Sequence, residues 1–149
     1  MEKRLIIRNA EEKDLEQLSG LLDQLKPGNA EKVHDMQKIR EAFLKIKKDG
    51  NYYLKVCEID GRITGTATLL IQDNITHGAR PYGHIENVVT DKDYRGLGIG
   101  NKIIESLVQD AKGRNCYKII LDCNETLIRF YEKAGFHNTG SVEMRLDLK

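Results

Sequence analysis

The sequence has 149 residues, of which 40% are hydrophobic and 32% are charged, and this length suits one compact domain over residues 1–149. The 24 lysines and arginines almost balance the 23 aspartates and glutamates, so the net charge of +1 excludes the basic footprint of a nucleic-acid-binding protein. Apolar runs are only a few residues long and no apolar h-region follows the charged start, which predicts neither a membrane span nor a secretory signal. The expected location is the cytoplasm.

The residue types that bind metals do not form a recognisable site. The three cysteines are an odd number without a CxxC pair, and the four histidines show neither HxH nor HxxxH spacing. The sequence therefore predicts no bound metal and no disulfide framework. Cys123 stands at the end of a predicted strand, where a free cysteine is more often a small buried hydrophobe than a nucleophile.

The first half of the chain begins with a strand and two helices. Residues 5–8 form the strand, and Asn9 with Glu12 has the spacing of a capping box that opens an amphipathic helix. Residues 26–28, which include a proline and a glycine, end this helix, and a second helical pattern covers residues 33–46.

A hairpin follows. Residues 52–59 and 62–72 are strand-like runs joined by Asp60 and Gly61, a pair that supplies the positive φ angles of a tight turn. Residues 73–83 are polar, so we expect them to form a surface loop.

The second half alternates strands with helices. The patterns predict strands over residues 84–90, 117–122 and 142–148, a helix after a glycine-rich turn, and another helix over residues 126–134. This order predicts one mixed sheet with helices on its faces. The first two of these strands are separated by a helix, so they are expected to be parallel and joined by a right-handed crossover. Ligands bind at the carboxyl ends of such strands.

A glycine-rich segment opens the central helix. Its alternating glycines let the main chain approach a ligand closely, while the free N–H groups and the positive end of the helix attract an anion. An arginine directly before them adds a positive charge. The segment predicts a cradle for a diphosphate, formed by Arg95, Gly96, Leu97, Gly98, Ile99, Gly100 and Asn101.

The spacing of these glycines excludes two common phosphate sites. A P-loop requires GxxxxGK followed by Ser or Thr, and the dinucleotide fingerprint requires GxGxxG, and neither occurs in this segment. The pattern Arg-x-x-Gly-x-Gly at Arg95, Gly98 and Gly100 instead resembles the acyl-CoA motif of the GNAT superfamily of N-acyltransferases.

Three further segments strengthen this resemblance. Leu-Asp-Cys-Asn at residues 121–124 and Phe-Tyr-Glu-Lys-Ala-Gly-Phe at residues 130–136 are similar to later GNAT motifs. The strand His-Ile-Glu-Asn-Val-Val at residues 84–89 is similar to that of the glucosamine-6-phosphate N-acetyltransferases. There is one departure, because Asn87 stands where that enzyme family has an aspartate.

The resemblance implies a fold and a cosubstrate. It implies a single α/β, GNAT-like domain with a mixed central sheet, about four flanking helices, and a splayed parallel strand pair that forms an acetyl-CoA cleft. The pantetheine arm of acetyl-CoA would pair with the main chain at Val88 and Val89, and Asn124 would join the cofactor contacts.

Tyr131 matches the tyrosine of the superfamily that contacts the cofactor and gives a proton to the CoA thiolate. A phenol with an ordinary pKa of about 10 stays protonated at neutral pH, as this role requires. The alternative is that Tyr131 is a core aromatic beside Phe130 and Phe136.

The candidates for receiving the proton of the acceptor amine, directly or through water, are Glu86 and Asp122. Strand alternation puts residues 84, 86 and 88 on one face and 85, 87 and 89 on the other. A carboxylate among isoleucine and valine is costly unless it is paired or wet, so Glu86 is interpreted as functional, with a buried ion pair to His84 or a lysine as the alternative. The alternative for Asp122 is capping of the next helix together with Asn124.

The acceptor predicted from this resemblance is the primary amine of a small molecule, and a phosphorylated amino sugar such as glucosamine 6-phosphate is the first hypothesis. An amino acid, a polyamine, an aminoglycoside and a protein amine are the alternatives. A non-catalytic CoA-binding sensor is the alternative from another class of protein. The candidate substrate-binding residues are His77, Arg80, Glu86 and Asn87.

The segment 142–148 alternates strictly between apolar and polar residues. A strand of this kind at a sheet edge would expose its N–H and C=O groups unless a second copy paired with it. The sequence therefore predicts a homodimer.

Overall fold

The computed structural model describes residues 4–26 and 33–149. Five strands form one sheet and lie beside one another in chain order: β1 (Leu5–Asn9), β2 (Tyr52–Ile59), β3 (Arg62–Gln72), β4 (Tyr82–Thr90) and β5 (Ile119–Ile120). The first three pairs are antiparallel and the β4–β5 pair is parallel. The predicted mixed sheet is confirmed.

Helices cover both faces of this sheet. The helices are α1 (Leu15–Leu22), α2 (Met36–Lys48), α3 (Thr76–Ala79), α4 (Ile99–Gly113) and α5 (Ile128–Lys133). Apolar residues of α1 and α2 form the core on one face, and those of α4 and α5 form the core on the other. The single turn α3 is the addition to the predicted set, and it lies in the segment expected to be a loop.

The first helix does not begin with the predicted capping box. Asn9 still belongs to β1, and the helical turn starts after Glu11, whose N–H donates to the Asp14 carboxylate over 2.7 Å. Arg8 donates two hydrogen bonds to the same carboxylate, at 2.7 and 2.8 Å. Burial opposes ionisation of Asp14, but these donors outweigh it and hold its pKa below the ordinary 3.8. A contact between strand and helix therefore decides where the helix begins.

The other predicted helix boundaries hold in part. The proposed stop at Pro27 and Gly28 lies outside the described residues. Val33 precedes α2 and is exposed, and the helix begins after Asp35, whose carboxylate accepts a hydrogen bond from the Lys38 N–H over 3.2 Å. This carboxylate satisfies one of the free donors at the helix start.

The hairpin is confirmed at both strands and at its turn. β2 and β3 have the predicted bounds, and Asp60 and Gly61 take φ angles of 49° and 81°. Two consecutive positive φ angles define a turn whose twist matches that of the strands it joins.

A bulge interrupts β4 opposite Ala67. The register pairs Thr66 with Val89 and Thr68 with Glu86, so two residues of β4 lie opposite one residue of β3. An extra residue of this kind bends a strand and increases its twist.

Asn87 lies in the bulge with φ of 55°, a left-handed conformation that asparagine adopts more readily than most residues. The extra residue reverses the alternation of side chains beyond it. Ile85 therefore lies in the core beneath α4, whereas Val89 lies in the core beneath α1, and Val88 packs on the same side as Ile85. The prediction that residues 85, 87 and 89 share one face is wrong for this reason.

β4 and β5 stay together for only two residue pairs, Gly83 with Ile119 and His84 with Ile120. The predicted strand over residues 117–122 is therefore shortened to two residues. Beyond His84 the two strands diverge, and a gap opens between them toward their carboxyl ends. The predicted splay of the parallel pair is confirmed.

The C-terminal part differs from the prediction in one element. The helix predicted over residues 126–134 is present as a 3-10 turn, Glu125–Leu127, followed by α5, and Gly135 with φ of 98° follows it. The strand predicted over residues 142–148 is not formed in the described chain. Its four apolar side chains are 79–88% exposed, because no strand of the same chain lies beside it: Val142, Met144, Leu146 and Leu148.

Helix α4 lies very close to β3 at Gly65. A Cβ atom added at Gly65 would lie 2.6 Å from Ile99 Cγ2 and 2.9 Å from Ile103 Cδ1. The missing side chain lets the first turn of α4 rest on the sheet, and this contact fixes the position of the glycine-rich segment that precedes the helix.

Candidate active site

A pocket of about 380 Å³ opens where β4 and β5 separate. Its wall comes from the middle of β4, the segment after β5, the region of α5 and two distant parts of the chain. The lining residues are 84–88 and 121–124, with Leu25, Leu127, Tyr131 and Glu143. The splayed strands predicted from the sequence thus border an open pocket.

Tyr131 lies on the wall of this pocket and is 6% exposed. Its ring packs edge-on against Phe130 and Phe136, with centroid distances of 4.9 and 5.9 Å. Burial, and to a smaller extent the nearby Cys123, raises the pKa of its phenol above the ordinary 10. The hydroxyl therefore stays protonated across the neutral range, and both interpretations of Tyr131 apply, because it is a core aromatic that also borders the pocket.

Glu86 borders the pocket but is not buried as expected. Its side chain is 57% exposed, and its carboxylate lies 3.3 Å from the His84 Nε2 atom. His84 is thus the nearest partner of the carboxylate, but the contact is open to water and is not the buried ion pair that was the alternative. Exposure removes the desolvation cost that first singled out Glu86, while its place on the pocket wall keeps it within the site.

The segment after β5 brings Asp122, Cys123 and Asn124 to the same pocket. Asn124, rather than Asp122, takes the N-cap position of the following turn, and its side chain makes no capping hydrogen bond within the described chain. The Asn124 side chain is therefore not engaged in capping. Cys123 is exposed, which corrects the expectation that it is a buried hydrophobe.

The glycine-rich segment leaves β4 and opens α4 as predicted. Gly96 and Gly98 both have positive φ, 81° and 78°, and Gly98 is the N-cap residue of the helix. The side chains of Arg95 and Leu97 are exposed, whereas Ile99 is buried in the core beneath α4. The segment thus presents main-chain groups, with an arginine at one end, at the start of a helix.

Gly100 has a different role from the other two glycines. A Cβ atom at this position would lie 2.9 Å from the Phe130 Cζ atom and 3.6 Å from the Thr90 Oγ1 atom. Its missing side chain lets α4 approach the aromatic ring of α5. Since Phe130 also touches Tyr131, the glycine-rich segment and the pocket are joined by direct packing.

The structure places the two proposed pantetheine contacts differently. Val88 lines the pocket, whereas Val89 is 6% exposed and packs in the core beneath α1. Asn87 also lines the pocket, and its left-handed conformation makes it part of the bulge. The bulge therefore forms part of the pocket wall.

His77 and Arg80 do not reach this pocket. Arg80 donates hydrogen bonds to the carbonyls of Asn115 and Cys116, at 3.2 and 3.1 Å, and the His77 ring stacks on Tyr117 at 3.9 Å. These contacts hold both residues near the amino ends of β4 and β5, whereas the pocket lies toward the carboxyl ends.

Seven pocket residues were not among the candidates predicted from the sequence: Leu25, His84, Ile85, Leu121, Cys123, Leu127 and Glu143. Leu127 follows the 121–124 motif closely, so its position in the sequence could have identified it as a pocket residue. Leu25 and Glu143 are far from the motifs in sequence, and only the folded chain brings them to the cavity.

No group of three or more His, Cys, Asp or Glu in residues 4–26 and 33–149 has the arrangement of a metal site. Over the same residues, none of the helices combines the length and the apolar character needed to cross a bilayer.

The fold and the pocket agree with one family. Residues 15–136 match the Acetyltransferase (GNAT) family, and the chain belongs to that family. This assignment confirms the resemblance inferred from Arg95, Gly98 and Gly100.

Two similar sequences and one solved structure carry the name glucosamine 6-phosphate N-acetyltransferase. The chain is 49% identical over 88 residues to the glucosamine 6-phosphate N-acetyltransferase of Trypanosoma brucei brucei, an alignment that spans 59% of each sequence. It is 36% identical over 111 residues to glucosamine 6-phosphate N-acetyltransferase 1 of Dictyostelium discoideum, over 72% of this chain and 70% of the relative. The crystal structure of glucosamine-6-phosphate N-acetyltransferase from Arabidopsis thaliana superposes with a TM-score of 0.90 at 31% identity, over 98% of this chain and 99% of that one.

Proposed function

We propose that this protein transfers an acetyl group from acetyl-CoA directly to the primary amine of a small molecule, and that glucosamine 6-phosphate is the acceptor. The observation that carries the proposal is the pocket between the splayed strands, with Tyr131 on its wall and the glycine-rich segment packed beside it. The relatives named glucosamine 6-phosphate N-acetyltransferase support the choice of acceptor.

The glycine-rich segment fits the diphosphate of acetyl-CoA. A Cβ atom added at Gly96 or Gly98 would meet no atom of the described chain within 4 Å, so the space in front of these residues is open. Main-chain N–H groups at the start of a 15-residue helix attract an anion into this space, and Arg95 adds its charge. The bound cosubstrate supplies the activated acetyl group.

The residues of the pocket then have separate tasks in the transfer. Glu86 or Asp122 receives the proton of the amine, directly or through water, as the nitrogen attacks the thioester carbon. A main-chain N–H near the bulge at Asn87 polarises the thioester carbonyl. Tyr131 gives its phenolic proton to the departing thiolate. Of the variants Glu86→Gln and Asp122→Asn, the one that loses more kcat identifies the acceptor of the amine proton.

One observation favours a second candidate acceptor. The described pocket wall carries three carboxylates, Glu86, Asp122 and Glu143, and neither lysine nor arginine. Such a wall attracts a cationic amine and repels a phosphate. An unphosphorylated substrate such as a polyamine or an aminoglycoside is therefore the alternative, because a sugar phosphate needs a cation from elsewhere.

The test is thiol release from acetyl-CoA in the presence of an amine panel. The panel contains glucosamine 6-phosphate, glucosamine, spermidine and kanamycin. We expect the highest kcat/KM with glucosamine 6-phosphate, and a higher value with spermidine or kanamycin would select the second candidate. Calorimetric binding of CoA without turnover of any amine would contradict both and favour a non-catalytic CoA sensor.

The protein is further proposed to be a homodimer that pairs through residues 142–148. Four apolar side chains alternate along this segment and are exposed in the monomer, and pairing with the same segment of a second copy would bury them. Light scattering at micromolar concentration should give the mass of two chains. The double variant Met144→Glu/Leu146→Glu should give the mass of one chain, whereas the control Arg145→Gln on the other side of the segment should remain dimeric. A wild-type mass of one chain would refute the dimer.

The cytoplasmic location stays a prediction from the sequence.

A further inference from the structure

Two aromatic rings flank Tyr131 in similar geometry. Phe130 meets it with a centroid distance of 4.9 Å and an interplanar angle of 82°, and Phe136 meets it at 5.9 Å and 77°. Both are edge-to-face contacts of the kind that aromatic pairs prefer. The two phenylalanines therefore contact the Tyr131 ring with similar geometry.

They differ in what else they touch. The Phe130 Cζ and Cε2 atoms lie 2.9 and 3.3 Å from the place of a Cβ atom at Gly100, so the ring rests on the bare main chain of the first turn of α4. The three atoms nearest to this position belong to Phe130 and Thr90, and none of them belongs to Phe136. One ring thus touches both the helix that opens with the glycine-rich segment and the tyrosine on the pocket wall.

This contact joins two places that a single cosubstrate must reach at once. The diphosphate and the sulfur of acetyl-CoA are separated by a covalent arm of fixed maximum length. A proton donor works only within hydrogen-bond reach of the reacting atom, and a displacement of about 1 Å can cost about 100-fold in rate. The spacing between the first turn of α4 and the Tyr131 hydroxyl therefore matters for the chemical step.

We infer that Phe130 is a positioning residue that sets the spacing between the glycine-rich segment and the Tyr131 hydroxyl. The inference rests on the proposed function and adds to it a residue that does not itself line the pocket but packs against Tyr131, which does. It also gives Gly100 a purpose distinct from that of Gly96 and Gly98, since Gly100 makes room for the ring.

The experiment compares Phe130→Leu with the matched control Phe136→Leu. Both variants remove one ring from Tyr131, but only the first removes the contact with Gly100. We expect Phe130→Leu to lower kcat by about tenfold while the Kd of acetyl-CoA stays within about twofold, since the diphosphate site itself is intact. Phe136→Leu should keep kcat within about twofold of the wild type. Equal losses of kcat in the two variants would overturn the inference.

A double-mutant cycle tests whether Phe130 acts through Tyr131. In a Tyr131→Phe background, Phe130→Leu should cause little further loss of kcat, because the hydroxyl that it positions is gone. A full tenfold loss in that background would contradict the inference. If Phe130→Leu does not fold, as judged by its thermal melt, Phe130→Met takes its place in both comparisons, because the longer and more flexible methionine side chain adapts better to the space left by the ring.

A spectroscopic measurement separates this inference from the proposed function. In protein labelled with 3-fluorotyrosine, the fluorine signal of residue 131 should shift when CoA binds, equally in the wild type and in Phe136→Leu and less in Phe130→Leu. If CoA binds but no amine is acetylated, the proposed function fails while this readout still tests Phe130. An equal shift in all three proteins would refute the positioning role.

Discussion

Replacing Tyr131 with phenylalanine should lower kcat by about 10²–10⁴-fold, the range typical of a lost general acid, and leave the Kd of acetyl-CoA within about twofold. The substitution keeps the ring that packs against Phe130 and Phe136 and removes only the hydroxyl. Stopped-flow or steady-state thiol release measures kcat, and calorimetry measures the Kd. A loss confined to kcat would show that the hydroxyl acts in the transition state.

The pH dependence of the reaction follows from the burial of the same group. Burial disfavours the phenolate, so the pKa of Tyr131 lies above the ordinary 10 and the proton donor persists as the pH rises through that value. The kcat of the wild type should therefore fall only as the pH passes the raised pKa. The Tyr131→Phe variant should lack this decline, because no phenol remains to be deprotonated.

Tyr117 provides the control for this variant. It is a tyrosine whose ring stacks on His77 near the amino end of β5, away from the pocket. Tyr117→Phe removes a hydroxyl without touching the pocket wall, so its kcat should match that of the wild type. If Tyr131→Phe also matched the wild type, the proton for the thiolate would have to come from another group, and the proposed role of Tyr131 would be wrong.

The sequence predicts elements well where a local signal decides them. Asp60 and Gly61 adopt positive φ angles by residue type, and the turn pairs Ile59 with Arg62 before a bulge shifts the register between Cys57 and Glu58. The glycine-rich segment is similar, since Gly96 and Gly98 are needed wherever the main chain turns with positive φ.

Predictions fail where a distant residue or a rare conformation decides. The first helix begins where Arg8 holds Asp14, a contact that no pattern of helix residues reveals. Simple side-chain alternation does not assign the faces of β4 correctly, because the bulge at the left-handed Asn87 adds an extra residue. The only local signal was an asparagine within an apolar strand.

The alternation over residues 142–148 is typical of a strand, yet the chain forms none there. An alternating pattern indicates that one face of a segment is apolar and favours burial. It does not indicate whether the same chain or another molecule covers that face. The candidate site shows the same limit, because Glu143 reaches the pocket from this segment without any motif to announce it.

Replacing Gly98 with valine should raise the Kd of acetyl-CoA by about 10–100-fold, which corresponds to the loss of about one charge-assisted hydrogen bond between a main-chain N–H and the diphosphate. Gly98 is the N-cap residue of α4, with φ of 78°. No atom of the described chain lies within 4 Å of a Cβ added there, so the new side chain would stand in the open space assigned to the ligand. Calorimetric titration with CoA measures the change.

Valine at this position also strains the backbone, and a suitable control has to separate the two effects. A left-handed β-carbon-bearing residue costs about 1–2 kcal/mol of folding free energy. Gly61 has φ of 81° and the same open space around an added Cβ, but it lies in the β2–β3 hairpin turn. Gly61→Val should therefore lose a similar free energy of unfolding in urea and bind CoA with wild-type affinity.

The paired variants make the result decisive for the position of the diphosphate. Both carry the same side chain, nearly the same φ angle and the same lack of neighbouring atoms, and they differ only in whether they stand at the start of α4. A loss of affinity confined to Gly98→Val thus has one physical source, the contact between this main chain and the ligand. Equal affinities in the two variants would mean that the diphosphate binds elsewhere, and the acetyl-CoA assignment would fail with it.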